Sequence, residues 1–151
     1  MTVGTLAALL CTAGCATAGF PKEPVPVAFT VKASKSLNPD GNGRSLPTVI
    51  RFYFLKSPTR ISKATFEEIY TSGRDRDVLG DDFVRMEELT VYPGETIDRD
   101  VQVDPQVRAI GAVAIVRTPV GETWRDIKVF ERPGDKKSFS YVVEGSAIKG
   151  K

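Results

Sequence analysis

Asn38, Asp40, Asn42 and Gly43 stand where an EF-hand loop has its first three ligands and its glycine, so calcium is the first chemistry to weigh. The later positions lack donors: the ninth is Leu46, and the twelfth, where a bidentate glutamate belongs, is Val49. With one formal charge among these side chains, the loop would hold Ca²⁺ no tighter than about the millimolar range. Asn, Asp and Gly also tolerate positive φ, so Asn38-Pro-Asp-Gly-Asn-Gly-Arg44 reads rather as a polar hairpin loop between two strands, with almost nothing to offer a core.

The remaining chemistry is narrowed by an absence. The chain has no histidine, which removes Ser-His-Asp and Cys-His catalysis and His-ligated metal sites. Glu67-Glu68 and Asp81-Asp82 are adjacent carboxylates, but helix neighbours point apart, whereas a glycosidase needs two carboxyls facing each other roughly 5 to 10 Å apart. Asp98, Asp100 and Asp104 surround Arg99 and suggest surface pairing rather than a metal site. Trp124 beside Arg125 could form a ligand platform, although a single Trp at a strand start is more often core. No serine sits in a nucleophile elbow and no glycine-rich phosphate loop follows a strand. These residues predict no catalytic activity and no required cofactor. A net charge of +2 gives no argument for a nucleic-acid partner.

Both cysteines, Cys11 and Cys15, lie near the start. The run Val3 to Cys11 is apolar and uncharged, too short to span a bilayer, and reads as the core of a signal peptide covering residues 1–14. Ala13-Gly14 before Cys15 resembles a bacterial lipobox, which makes Cys15 the lipidation site and first mature residue. Leu10 is too bulky before Cys11 for that pattern. Thr12 stands where Leu is usual, and no Lys or Arg precedes Lys22. Ala16 rather than Asp after the cysteine resembles an outer-membrane address. Residues 15–26, with Pro21, Pro24 and Pro26, then form an extended tether.

Residues 27–151 must position whatever the chain does, and their pattern is mainly β. Val25, Val27, Phe29 and Val31 alternate with polar or small residues as a half-buried strand. Val49 to Leu55, Glu88 to Tyr92, Thr96 to Val103, Arg108 to Val116, Trp124 to Phe130 and Ser138 to Val143 supply six more, separated by turns such as Pro93-Gly94 and Pro133-Gly-Asp135. The Arg108 to Val116 strand is apolar on both faces, and its small residues predict that something packs close upon it. Seven strands predict a two-sheet β-sandwich. A helical insertion over about 61–87 follows the second strand: one helix from Ser62 as N-cap to Gly73, with Ile61 and Phe66 as a hydrophobic staple, and a second around Asp81 to Glu87.

With the lipobox in front, Pro47-Thr-Val-Ile-Arg-Phe-Tyr-Phe-Leu55, Phe66, Leu79-Gly80, Pro93-Gly94, Gly111-Ala-Val-Ala-Ile-Val-Arg117 and Trp124-Arg125 come in an order that resembles the TssJ (SciN) family of type VI secretion lipoproteins. The resemblance covers nearly all of the mature chain. It implies a transthyretin-like β-sandwich with an added helical segment. It also implies a lipid anchor on the periplasmic face of the outer membrane of a Gram-negative bacterium. The implied partner is the periplasmic C-terminal region of the inner-membrane protein TssM, and through it indirectly TssL. The family's protruding contact is the loop between strands one and two, which assigns partner binding to Asn38, Pro39, Asp40, Gly41, Asn42, Gly43 and Arg44. The alternative is a periplasmic ligand-binding or inhibitory lipoprotein on the same scaffold, which the neighbouring genes would distinguish.

Overall fold

The computed structural model describes residues 22–71, 73–136 and 138–151. Eight strands form two four-stranded sheets, one ordered β4-β1-β7-β8 and the other β3-β2-β5-β6. In chain order they are β1 (Val25–Leu37), β2 (Thr48–Leu55), β3 (Phe83–Val91), β4 (Thr96–Val103), β5 (Ala109–Ile115), β6 (Arg125–Val129), β7 (Ser138–Gly145) and β8 (Ala147–Gly150). All pairings are antiparallel except β1 with β7. The expected two-sheet sandwich is the fold.

Alternation in the sequence becomes the core directly. Val27, Phe29, Val31, Ala33 and Leu37 of β1 are buried against Ile50, Phe52 and Phe54 of β2 and Phe139, Tyr141 and Val143 of β7. The centre is aromatic: Phe29 meets Phe52 edge-on with centroids 5.2 Å apart, and Tyr141 lies 5.4 Å from Phe52. Strand β5 is buried from Ala109 to Ala114, as its apolar faces predict, because the helical segment covers the outer side of its sheet.

That segment differs in detail from the sequence expectation. Ser62 is not an N-cap: it lies inside α1 (Thr59–Lys63) and its hydroxyl donates to the Pro58 carbonyl. Thr65 caps a separate helix, α2 (Phe66–Tyr70), in a reciprocal capping box with Glu68. Ile61 is therefore not a staple partner of Phe66 but a core residue of α1. The second helix is α3 (Asp75–Leu79), followed by a 3-10 turn at Gly80–Asp82, and residues 83–87 are strand rather than helix. Gly80, at φ 49°, ends α3 and releases the chain into β3. Strand β1 runs six residues beyond Val31, and β8 is an eighth strand without a counterpart in the sequence reading.

Candidate partner-binding loop

The loop between β1 and β2 carries the chain from one sheet to the other, and its base is fixed by the Leu46 amide donating to the Leu37 carbonyl at 3.0 Å. Asn38 sits at φ 43° and is 5% exposed, so the first residue of the loop belongs to the interior. Its amide nitrogen donates to the Pro47 carbonyl and the Thr48 hydroxyl, each at 3.3 Å, and its side-chain oxygen accepts the Arg117 N–H at 2.9 Å. Its own N–H donates to the Gly145 carbonyl. Asn38 thus stitches three connections together, contrary to the expectation that the loop offers almost nothing to the core.

Asp40 organises the tip. One carboxylate oxygen accepts the N–H groups of Asn42 and Arg44, both at 2.9 Å, and the other lies 3.3 Å from the Arg44 guanidinium. The Asp40 carboxyl is held below its usual value, first by the Arg44 N–H, then by the Asn42 N–H and the charges of Arg44 and Arg117. Its oxygens are turned to donors of the loop itself, the arrangement of an Asx turn and not of a calcium ligand set. Among the described residues, no group of three or more Asp, Glu, His or Cys is placed to hold a metal. Pro39, Gly41, Asn42, Gly43 and Arg44 are exposed, and the Arg44 side chain keeps 78% of its surface in solvent.

Three other connections share this end of the sandwich. The β3–β4 turn reaches the end of β1 through the Gly94 N–H on the Ser34 carbonyl. In the β5–β6 connection the Arg117 N–H donates to Asn38, and the β7–β8 turn touches Asn38 through Gly145. At the opposite end, Val25 pairs with Val103 and packs under Gly134. The start of β1 and the loop tip are therefore separated by the thirteen residues of β1, roughly 40 Å at about 3.3 Å per residue.

The weaker candidates resolve as structure. Glu68 serves the Thr65 cap, and Asp82 accepts the Arg60 N–H. Asp98 accepts the Thr30 hydroxyl and Asp104 pairs with Arg85, so those carboxylates are parts of surface pairing. Trp124 is buried, edge-on to Phe66, with the Arg125 guanidinium over its ring. Arg125 also donates to the Ile61, Ser62 and Ala64 carbonyls and so ties β6 to the end of α1. The exposure of Tyr92, just after β3, and of Val120, in the β5–β6 connection, was not anticipated from the sequence. An aromatic just before Pro93-Gly94 was the available signal, since turns are usually polar. Cys15, the lipidation candidate, lies outside the described residues.

Residues 25–143 match the profile of a family described as type VI secretion lipoprotein, VasD, EvfM, TssJ, VC_A0113. Comparison with curated proteins gives no match. Among solved structures, the chain is similar to the type VI secretion lipoprotein TssJ1 from Pseudomonas aeruginosa, at 26% identity and a TM-score of 0.76, over 85% of this chain and 95% of that one. It is also similar to Serratia marcescens Lip, a membrane-bound component of the type VI secretion system, at 20% identity and a TM-score of 0.75, over 83% and 96%. A chain of a type VI membrane complex matches at 21% identity and a TM-score of 0.72, over 82% and 95%.

Proposed function

The chain belongs to the type VI secretion lipoprotein family that includes TssJ, and from that premise we propose that it ties the envelope-spanning secretion complex to the outer membrane. In this reading residues 1–14 are the signal peptide, Cys15 carries lipid, residues 15–26 are the tether, and the sandwich presents residues 39–44 to the periplasmic C-terminal region of TssM. TssL is engaged only indirectly, through TssM.

One observation carries the reading. The tether enters at the Val25 end of the sandwich, and the exposed tip of the β1–β2 loop lies at the other. A protein anchored at one pole and bound at the other can hold a partner away from the membrane surface. An acyl chain contributes roughly 0.8 kcal/mol per buried methylene, so the several chains of a bacterial lipoprotein anchor firmly. The role is mechanical and needs no catalytic group, in keeping with a sequence that has no histidine. The alternative is a periplasmic ligand-binding or inhibitory lipoprotein on the same scaffold, and the sandwich interior does not favour it. The slot that opens between the sheets beside Phe29, Phe52 and Leu89 has a volume of only about 10 Å³.

Fractionation and co-purification in the native host test both halves. Wild type should carry fatty-acid label, sediment with the outer membrane and bring down TssM. Cys15→Ser should lose the label and become soluble in the periplasm. Replacing residues 39–44 by Asn-Gly should leave the protein labelled and membrane-bound but without TssM. Label retained by Cys15→Ser overturns the anchor, and TssM retained by the loop variant overturns the contact.

A further inference from the structure

We propose that the chain pairs with a second copy of itself through the bare outer face of the β4-β1-β7-β8 sheet, about a two-fold axis running along β1 and β7. The inference goes beyond the reading above and takes from it only the anchor at the Val25 end.

The two sheets are finished differently. The helical segment covers the outer side of β3-β2-β5-β6, whereas nothing among the described residues covers the outer side of the other sheet. Alternation turns Val27, Phe29 and Val31 inward and leaves Ala28, Thr30 and Lys32 outward on β1. Ser138, Ser140 and Val142 stand beside them on β7. The middle of this face is therefore mostly small and flat, which lets a second sheet approach to about 10 Å.

The charge is divided between its borders. Asp98 and Asp100 lie on β4, Lys149 on β8 and Lys151 just after it. Register sets them in rows: Asp98 pairs with Thr30, Thr30 with Ser140, and the Lys151 N–H donates to the Ser140 carbonyl. One row thus runs from a carboxylate to an ammonium three strand spacings away, about 14 Å. Lys32 and Glu144 stand on the inner strands. None of these six groups enters an ion pair among the described residues.

The division of charge selects the axis. A two-fold along the strands sets β4 of one copy over β8 of the other, and β1 over β7. Asp98 then faces Lys151 of the second copy, and Lys32 stands one pleat from Glu144 of the second copy. A two-fold across the strands would set carboxylates over carboxylates. The favoured axis also keeps both Val25 ends at one pole, as two chains anchored in one membrane require, and leaves both loop tips free at the other. Four strands about 4.8 Å apart, over residues 28–34 at about 3.3 Å each, cover about 450 Å² per copy, or about 900 Å² in all. That is the size of a weak contact, which becomes populated when both copies are held in one membrane.

Crosslinking of the full lipidated chain in phosphatidylethanolamine–phosphatidylglycerol vesicles, with no other protein present, is the test. Ser140 lies next to the axis, so Ser140→Cys should give a dimer with a bismaleimide spanning about 10 Å. Lys63→Cys, on α1 over the other sheet, should give only the background of random encounter. Asp98→Lys and Lys151→Asp should each lower the dimer yield of Ser140→Cys about threefold or more, and the two together should restore it. Within one chain those sites are too far apart for the rescue to be internal. Thermal unfolding shows that every variant is folded. Equal yields from Ser140→Cys and Lys63→Cys, undiminished yields in the single charge variants, or no rescue in the combined one overturn the dimer. A chain that does not float with the vesicles overturns the anchor instead. Sedimentation at about millimolar protein then decides the dimer by the same rescue.

Discussion

The Cδ1 atom of Ile61 occupies the place where a side chain on residue 111 would begin: a Cβ added to Gly111 would lie 2.3 Å from it. Helix α1 therefore rests directly on β5, and the small residue is what lets it approach. Gly111→Ala should destabilise the protein by about 1–3 kcal/mol, because overpacking a filled site forces its neighbours to shift. Ile61→Val removes the obstructing atom at a cost of about 0.5–1.5 kcal/mol. The double variant should be clearly more stable than the sum of the two single losses, as contacting residues couple. Denaturant unfolding of the four proteins measures this. Simple additivity would mean that the helix yields without cost.

The approach at Gly111 was legible, since the run Gly111-Ala-Val-Ala announces a strand covered on both sides. So were the alternation of β1, the aromatic β2 and the turn at Pro93-Gly94, because each is a local pattern imposed by one buried face. Helix boundaries were less so. The Thr65-x-x-Glu68 capping box stood in the sequence, but the preceding Ile61-Ser62 mimicked an earlier start and hid the break between α1 and α2. The early part of β3 was obscured by Arg85, a charged residue on a strand whose side chain lies across the Phe54 ring and reaches Gln102 and Asp104. Four-residue β8 carries too little pattern to read. The gathering of Tyr92, Asn38, Arg117 and Val120 at one end depends on sheet order, which no local period encodes.

Two buried tyrosines should respond differently to loss of the hydroxyl. Tyr53 donates to Asp75 at 2.9 Å, so Tyr53→Phe leaves a buried carboxylate one partner short, at a cost of about 1–3 kcal/mol. The Tyr141 hydroxyl is buried without a partner among the described residues, so Tyr141→Phe should be neutral or slightly stabilising. Burial pushes both phenols well above their ordinary value of 10.0, aided by the Asp75 carboxylate for Tyr53 and by the Asp126 charge for Tyr141. The unfolded chain therefore loses these protons first. Their contribution is complete below that ordinary value and falls at higher pH by about 1.4 kcal/mol per pH unit for each tyrosine, until the folded phenols ionise. Unfolding free energies across alkaline pH should fall less steeply in each Phe variant. An unchanged slope in both would remove the tyrosines from the account.

At the acid end the loop tip should behave in the opposite sense. The Asp40 carboxyl lies below its ordinary 3.8, chiefly because it accepts the Arg44 N–H. Its ordering of the tip is complete above that ordinary value and is lost as the pH falls through the lowered one. The amides of Asn42 and Arg44, both bound to one Asp40 oxygen, should exchange slowly at neutral pH and lose protection together in acid. Asp40→Ala should expose both at every pH. Exchange that is equally fast in wild type and variant at neutral pH would mean that the turn is not formed in solution.

Asn38 and the six residues after it should separate cleanly in stability. Asn38→Ala leaves the Arg117 N–H without its acceptor and places a Cβ-bearing residue without a local polar side chain at positive φ. The first effect costs about 1–3 kcal/mol, and the second adds roughly 1–2 kcal/mol. Asn38→Gly loses the same hydrogen bonds but not the conformational freedom, so it should be the milder of the two, and their difference reports the backbone strain alone. Replacing residues 39–44 by Asn-Gly removes five exposed residues together with Asp40, whose hydrogen bonds serve only the tip, and changes closure entropy by only about 0.6 kcal/mol per twofold change in length. That variant should stay within about 1 kcal/mol of wild type in denaturant unfolding. A tip replacement as damaging as Asn38→Ala would make residues 39–44 part of the scaffold, and their exposure could no longer be taken as freedom to bind.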